Sequence, residues 1–177
     1  MLETFGFFKY VWKRMKRVVI LGGSNLGDRE ANLEKAEALI AQEVGEIFRK
    51  SSLYETEPWG MKDQPAFLNY VIIVQSELLP DVILQKLLSI EEQLGRKRTE
   101  KWAPRLIDLD ILFYDDIIFQ SDHLMIPHPF IQERRFTLLP LCELMPEFVH
   151  PQSGLTIGQL LDQCQDDSKV YLFTSQK

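Results

Sequence analysis

At 177 residues with 45% hydrophobic content, the chain has the size of one compact domain that buries its own core. Its net charge of −6 excludes a general nucleic-acid binder or a protein of anionic membrane surfaces, since both need an electropositive face. Cys142 and Cys164 lack paired spacing and nearby histidines, which excludes a disulfide framework and a zinc site, and no run reaches the roughly 20 apolar residues of a membrane-spanning helix. A reduced, cytoplasmic compartment is the expectation.

Residues 1–16 are expected to form an extension outside the domain. Their aromatic cluster, Phe5 to Trp12, precedes Lys13, Arg14 and Lys16, whereas a secretory signal carries its charges before the apolar run. A single domain is then expected over residues 17–177. Val18 to Leu21 predicts a buried strand that ends at Gly22-Gly23 and enters a tight turn. From Arg29 to Gln42 the apolar positions Leu33, Ala36 and Ile40 recur at helical steps, with Asp28 as N-cap. Phe48–Glu57 and Phe67–Glu77 predict two strands joined by a loop holding Pro58, Gly60 and Pro65. Pro80 at a first helical position, followed by Ile83, Leu87, Ile90 and Leu94 and stopped by Gly95, predicts a second helix. Leu106–Tyr114 predicts a further strand, which Asp115-Asp116 turns into Ile117–Phe119. The order β-α-β-β-α-β is the ferredoxin-like plan of the α+β class, with helices on one face of an antiparallel sheet, and Leu138–Leu144 and Ile157–Cys164 predict a small C-terminal helical extension.

Asp108 and Asp110 alternate in their strand, so the pleat sets both carboxylates on one face and Ile107, Leu109, Ile111 and Phe113 on the other. Paired carboxylates repel each other and favour a hard cation such as Mg²⁺. Taken alone, Asp-x-Asp is more often the pattern of solvated strand-end acids than of a metal site. Its surroundings add weight: Arg96, Lys97, Arg98, Lys101 and Arg105 come just before it, and His128 and Arg134 after it. Metal carboxylates beside arginine donors are what phosphoryl transfer requires around a polyphosphate. The segment Gly22–Asp28 lacks both the P-loop ending and the Gly-x-Gly-x-x-Gly spacing, so it predicts a turn and no nucleotide cradle. Phe67 and Asn69 share one strand face, where a ring for stacking and an amide for hydrogen bonding suit a flat heterocycle. A different two-metal enzyme, such as a nucleotidyltransferase, and a non-catalytic ferredoxin-like module both stay open at this point.

These segments together resemble the 6-hydroxymethyl-7,8-dihydropterin pyrophosphokinases of folate biosynthesis. The run from Lys101-Trp102 through Arg105 to Asp108-Leu109-Asp110-Ile111-Leu112 carries the likeness most specifically. Gly23–Gly27, Thr56–Gly60, Asp63-Gln64-Pro65, Phe67-Leu68-Asn69 and Ile126–Pro129 follow in the family's order. The resemblance implies a ferredoxin-like α/β sandwich that transfers the diphosphate of MgATP to the pterin hydroxymethyl group and releases AMP. It implies two Mg²⁺ ions at Asp108 and Asp110, with Arg96 and Arg105 as catalytic partners. Glu91, Arg98, Trp102, Ile111, His128 and Arg134 are implied to bind ATP, and Thr56, Pro58, Trp59, Phe67, Asn69 and Phe136 to enclose the pterin. ATP and 6-hydroxymethyl-7,8-dihydropterin are the implied partners of a monomer that binds neither nucleic acid nor membrane. His123 and Leu88 depart from the Arg and Gln common in the family.

Overall fold

Strand β1 (Lys16–Ser24) lies inside the sheet, antiparallel along its whole length to β4 (Phe67–Ser76) and, on its other side from Val18 to Gly23, to β5 (Asp108–Tyr114). The computed structural model describes residues 15–58, 63–96 and 104–175; the expected extension over residues 1–16 lies outside them as far as residue 14. Two short strands share the far side of β4: β2 (Glu46–Lys50) pairs with its C-terminal half and β3 (Tyr54–Thr56) with its N-terminal end. Beyond β3 lies β8 (Val170–Leu172), so the six-stranded sheet runs β5-β1-β4-β3-β8 with β2 beside β4.

Two apolar layers hold the sheet. Val18, Ile20, Ile72 and Val74 cluster with Leu33, Ala36 and Ile40 of α1 (Arg29–Glu43) and Ile83, Leu87 and Ile90 of α2 (Pro80–Gln93). On the opposite face, Val19, Leu21, Val71 and Ile73 cluster with Leu138, Leu141 and Leu144 of α3 (Arg135–Leu144) and Ile157 and Leu160 of α4 (Ile157–Gln163). Burial on both faces explains why β1 and β4 read as continuous hydrophobic runs. Fully burying each such side chain contributes about 1.5–3 kcal/mol. The expected single helical face is therefore corrected: the C-terminal helices form a second layer. Asp28 caps α1, its carboxylate accepting from the Ala31 amide at 3.1 Å, and Pro80 starts α2, while Gly95 takes the positive φ of 90° that ends it.

The strand expected over Phe48–Glu57 divides into β2 and β3, and a register shift at Phe48 leaves that ring exposed. The stretch expected to turn back from β5 forms a separate ribbon, in which β6 (Phe119–Gln120) pairs with β7 (Met125–Ile126). Phe113 also departs from the expected alternation. Val19 faces Phe113 and Ile20 faces Ile111, so Leu112 is an extra residue, a bulge that turns Phe113 into the α3 and α4 layer. The bulge frees the Leu112 carbonyl, which accepts from the His128 amide at 3.0 Å and fastens the segment after β7 to the sheet.

Gly22 and Gly23 lie inside β1 rather than at its end. A Cβ at Gly22 would sit 2.9 Å from the Tyr70 ring on the α1 side, and one at Gly23 would sit 2.7 Å from the Asn69 side-chain oxygen on the other. The glycine pair is a point of close approach on both faces, which a turn reading of the same residues misses.

Candidate active site

On the α3 side of the sheet, beside the first turn of α3, a cavity of about 270 Å³ opens over β1, β4 and β5. Its floor is strand: Leu21 and Gly23 from β1, Phe67 and Asn69 from β4, Asp108 and Asp110 from β5. Thr56 and Glu57 form one wall at the end of β3. Arg134 and Phe136, at the start of α3, form the other, joined by His128 and Phe130; Arg96 and Arg105 stand at the mouth with Gln64.

The two carboxylates differ in their surroundings. Asp108 is held by cations, its Oδ1 accepting from Arg96 at 2.6 Å and its Oδ2 from Arg105 at 2.8 Å. Asp110 has no such partner within hydrogen-bond distance among the described residues. Burial, then the Asp108 charge, pushes its carboxyl up to about 7 against the opposing pull of Arg134. Arg96 is in turn shared with Glu91, which is buried and also accepts from the Leu109 amide at 2.8 Å. Burial works against the Arg96 charge, but Asp108 and Glu91 outweigh it and hold its pKa above the ordinary value.

Further from the acids, Arg134 is nearly buried with its guanidinium carbon 4.9 Å from the Phe130 ring centroid and 5.8 Å from that of Phe136. Burial and the Arg134 charge lower His128 to about 4, so its imidazole is neutral near pH 7. Nδ1 accepts from the Phe130 amide at 3.3 Å, which leaves the ring proton on Nε2 as an uncharged donor. The Asn69 amide donates to Thr56 Oγ1 at 2.8 Å, locking the β3 wall to the floor. The loop below the mouth is fixed by Asn25, which donates to Gln64 Oε1 at 3.0 Å and accepts from the Arg105 amide at 2.8 Å.

Of the residues singled out from sequence, Arg96, Arg105, Asp108, Asp110, His128, Arg134, Thr56, Phe67, Asn69 and Phe136 all line this one cavity. Ile111 does not: its side chain is buried with the α1 and α2 layer, on the far side of the strand from Asp110. Glu91 acts behind the cavity through Arg96, and Pro58 is outside the lining. Trp59, Arg98 and Trp102 lie outside the described residues. Phe130 was missed, although its place four residues before Arg134 is a signal for a ring under a cation.

For a divalent cation the fit is one of charge and donor type. Two carboxylates meet on one face, and Asp110 bears a net electrostatic cost, only partly offset by Arg134 and Arg96, that a cation would remove. No group of three or more His, Cys, Asp or Glu side chains able to hold a metal occurs among the described residues. Two protein oxygens suffice for Mg²⁺, which keeps waters and takes substrate phosphates as its other ligands.

The family described as 7,8-dihydro-6-hydroxymethylpterin-pyrophosphokinase (HPPK) matches residues 19–146. A 2-amino-4-hydroxy-6-hydroxymethyldihydropteridine pyrophosphokinase of Aquifex aeolicus is 42% identical over 134 residues, covering 75% of this chain and 83% of that protein. One from Synechocystis is 45% identical over 147 residues, covering 82% and 74%. A crystal structure of wild-type Plasmodium falciparum HPPK-DHPS superposes with a TM-score of 0.72 at 19% identity, over 85% of this chain and 43% of that one, a likeness of fold. With the matched region containing the paired aspartates and the whole cavity floor, the chain belongs to the 7,8-dihydro-6-hydroxymethylpterin-pyrophosphokinase family of folate biosynthesis.

Proposed function

We propose that the cavity is the two-substrate site in which the family's reaction takes place, with the polyphosphate of ATP over Asp108 and Asp110 and the pterin against Phe67 and Asn69. The family's enzymes move a diphosphate from ATP to the hydroxymethyl group of the pterin, and this chain, as a member, is a diphosphotransferase of that kind. The observation that carries the assignment is the meeting of paired carboxylates, three arginines and an aromatic-amide face in one cavity. A nucleotidyltransferase would have no use for that last face.

Two Mg²⁺ ions bound at Asp108 and Asp110 would supply charge neutralisation for the polyphosphate and lower the pKa of the attacking hydroxyl. The chain's own part is placement and electrostatics. Arg105, Arg96 and Arg134 present fixed cations to the phosphates, and His128 adds one neutral N–H donor at Nε2. Both oxygens of Asp108 are held by Arg96 and Arg105, and a cation at that carboxylate would compete with those guanidiniums and leave them to the phosphates. Phe67 and Phe136 offer ring faces and Asn69 a hydrogen-bonding edge to the pterin, in the same cavity as the paired acids.

The same reading includes a ferredoxin-like α/β sandwich, supported by the order β5-β1-β4 with β2 and β3 beyond it and α1 and α2 on one face. It also includes a single domain over residues 17–177, acting as a cytoplasmic monomer on ATP and the pterin, with no nucleic acid or membrane; the charge of −6 supports the last point. Incubating the protein with ATP and Mg²⁺, with and without 6-hydroxymethyl-7,8-dihydropterin, tests the function. AMP is expected only when the pterin is present. ADP as the primary product, or AMP formed equally without pterin, contradicts the assignment.

A further inference from the structure

We infer that the C-terminal segment from Asp166 to Phe173 is a strap that fixes the separation of the two walls of the pterin subsite, with Asp166 as its positioning residue. The inference rests on the pterin reading of the cavity. The two walls belong to separate elements, tied directly toward the end of α3 away from Arg134 and Phe136, where Glu143 accepts from the Tyr54 hydroxyl at 2.8 Å and from the Ser52 amide at 3.0 Å. One wall is β3, only three residues long, whose Thr56 and the adjacent Glu57 line the cavity. The other is the first turn of α3, carrying Arg134 and Phe136, and its N-cap residue Arg134 makes no side-chain cap bond.

A single stretch of chain joins both walls. Asp166 Oδ2 accepts from the Arg135 amide at 2.8 Å, supplying the missing cap from outside the helix, between the two cavity-lining residues. Its Oδ1 accepts from the Ser168 amide at 3.0 Å and sets the turn that sends the chain toward the sheet. The Lys169 carbonyl then accepts from the Glu57 amide at 3.5 Å. β8 pairs along all of β3, Val170 opposite Thr56 and Leu172 opposite Tyr54, and the Phe173 amide donates to the Leu53 carbonyl at 2.8 Å.

The far end of the strap is tied as well. Arg29 pairs with Glu55 at 2.7 Å and donates to the Ala66 carbonyl at 2.8 Å, and its guanidinium carbon lies 5.9 Å from the Phe173 ring centroid. The mouth of the cavity near Asp108 has its own ion pairs and owes nothing to the strap. Removing Asp166 should therefore loosen the pterin side most and reach the phosphate side only through Arg134, one of its three arginines.

The test compares Asp166→Ala and Asp166→Asn with the unmodified chain, measuring equilibrium binding of 6-hydroxymethyl-7,8-dihydropterin and of MgATP separately. On the usual worth of a helix cap, Asp166→Ala weakens pterin binding about fivefold and leaves ATP binding within about twofold. Asp166→Asn keeps one acceptor oxygen and recovers part of the loss. Unchanged pterin affinity in Asp166→Ala overturns the strap, as does an equal loss of both affinities without recovery in Asp166→Asn, since either leaves Asp166 with a general structural role at most. If the unmodified chain does not bind the pterin, the subsite reading itself fails and the strap falls with it.

Discussion

Replacing Asp110 with Asn should lower kcat about a thousandfold, leave pterin affinity nearly unchanged, and raise the melting temperature of the metal-free protein. The loss in rate follows because the amide keeps the shape of the side chain and removes the charge that a cation over the phosphates requires; that charge is worth several kcal/mol in the transition state. Pterin affinity persists because Phe67 and Asn69 stand on β4, with β1 between them and β5. The stability gain follows from the sign of the shift. The folded pKa of Asp110, about 7, lies above the ordinary value of 3.8, so its ionisation costs the fold increasingly as pH rises between those values. At pH 8 the neutral amide avoids that cost, and a rise of about 3 °C is a reasonable size for a chain this long. Single-turnover kinetics, pterin titration and calorimetry at pH 8 check the three parts. Unchanged turnover would remove the metal role from Asp110.

The arginines should separate by what stands behind them. Arg105→Ala removes a cation from the mouth, and a fall of about a hundredfold or more in kcat is expected with the melting temperature nearly preserved. Its carboxylate partner Asp108 remains paired with Arg96. Arg96→Ala should lower kcat similarly and also destabilise the protein by about 3 kcal/mol, because buried Glu91 loses its guanidinium partner. The double variant Arg96→Ala with Glu91→Gln should regain stability without regaining rate. Melting curves and kcat measured together test this; an Arg105→Ala protein with full turnover would contradict the phosphate role.

Much of this site can be read from the sequence, and the reasons are local. Asp108 and Asp110 declare a shared face by alternation, Asp28 and Pro80 mark helix starts by cap chemistry, and Phe67 with Asn69 repeats the alternation on another strand. What escapes is decided by pairing between distant segments. The bulge at Leu112 depends on the register of β5 against β1, so nothing near Phe113 announces that its ring changes sides. The purpose of Gly22 and Gly23 is set by Tyr70 and Asn69 on a neighbouring strand. β8 is a run of three β-forming residues, Val170 to Leu172, too short to declare itself beside its polar neighbours, and its pairing is set by the edge of β3. The pleat that presents Asp110 to the cavity places the Ile111 side chain in the layer of α1 and α2, which its place in the family pattern does not reveal.

Whether Asp108 and Asp110 draw cations to the phosphates is tested directly by a titration with Mn²⁺ in place of Mg²⁺ in the presence of a non-hydrolysable ATP analogue. Two ions per protein are expected, and since only the ionised Asp110 carboxyl can ligate, their apparent affinity should rise up to about tenfold per pH unit below about 7 and level off above it. The double variant Asp108→Asn with Asp110→Asn should lose tight Mn²⁺ binding while still melting cooperatively. Equal Mn²⁺ stoichiometry and affinity in the double variant, with no dependence on pH between 6 and 8, would contradict the central claim.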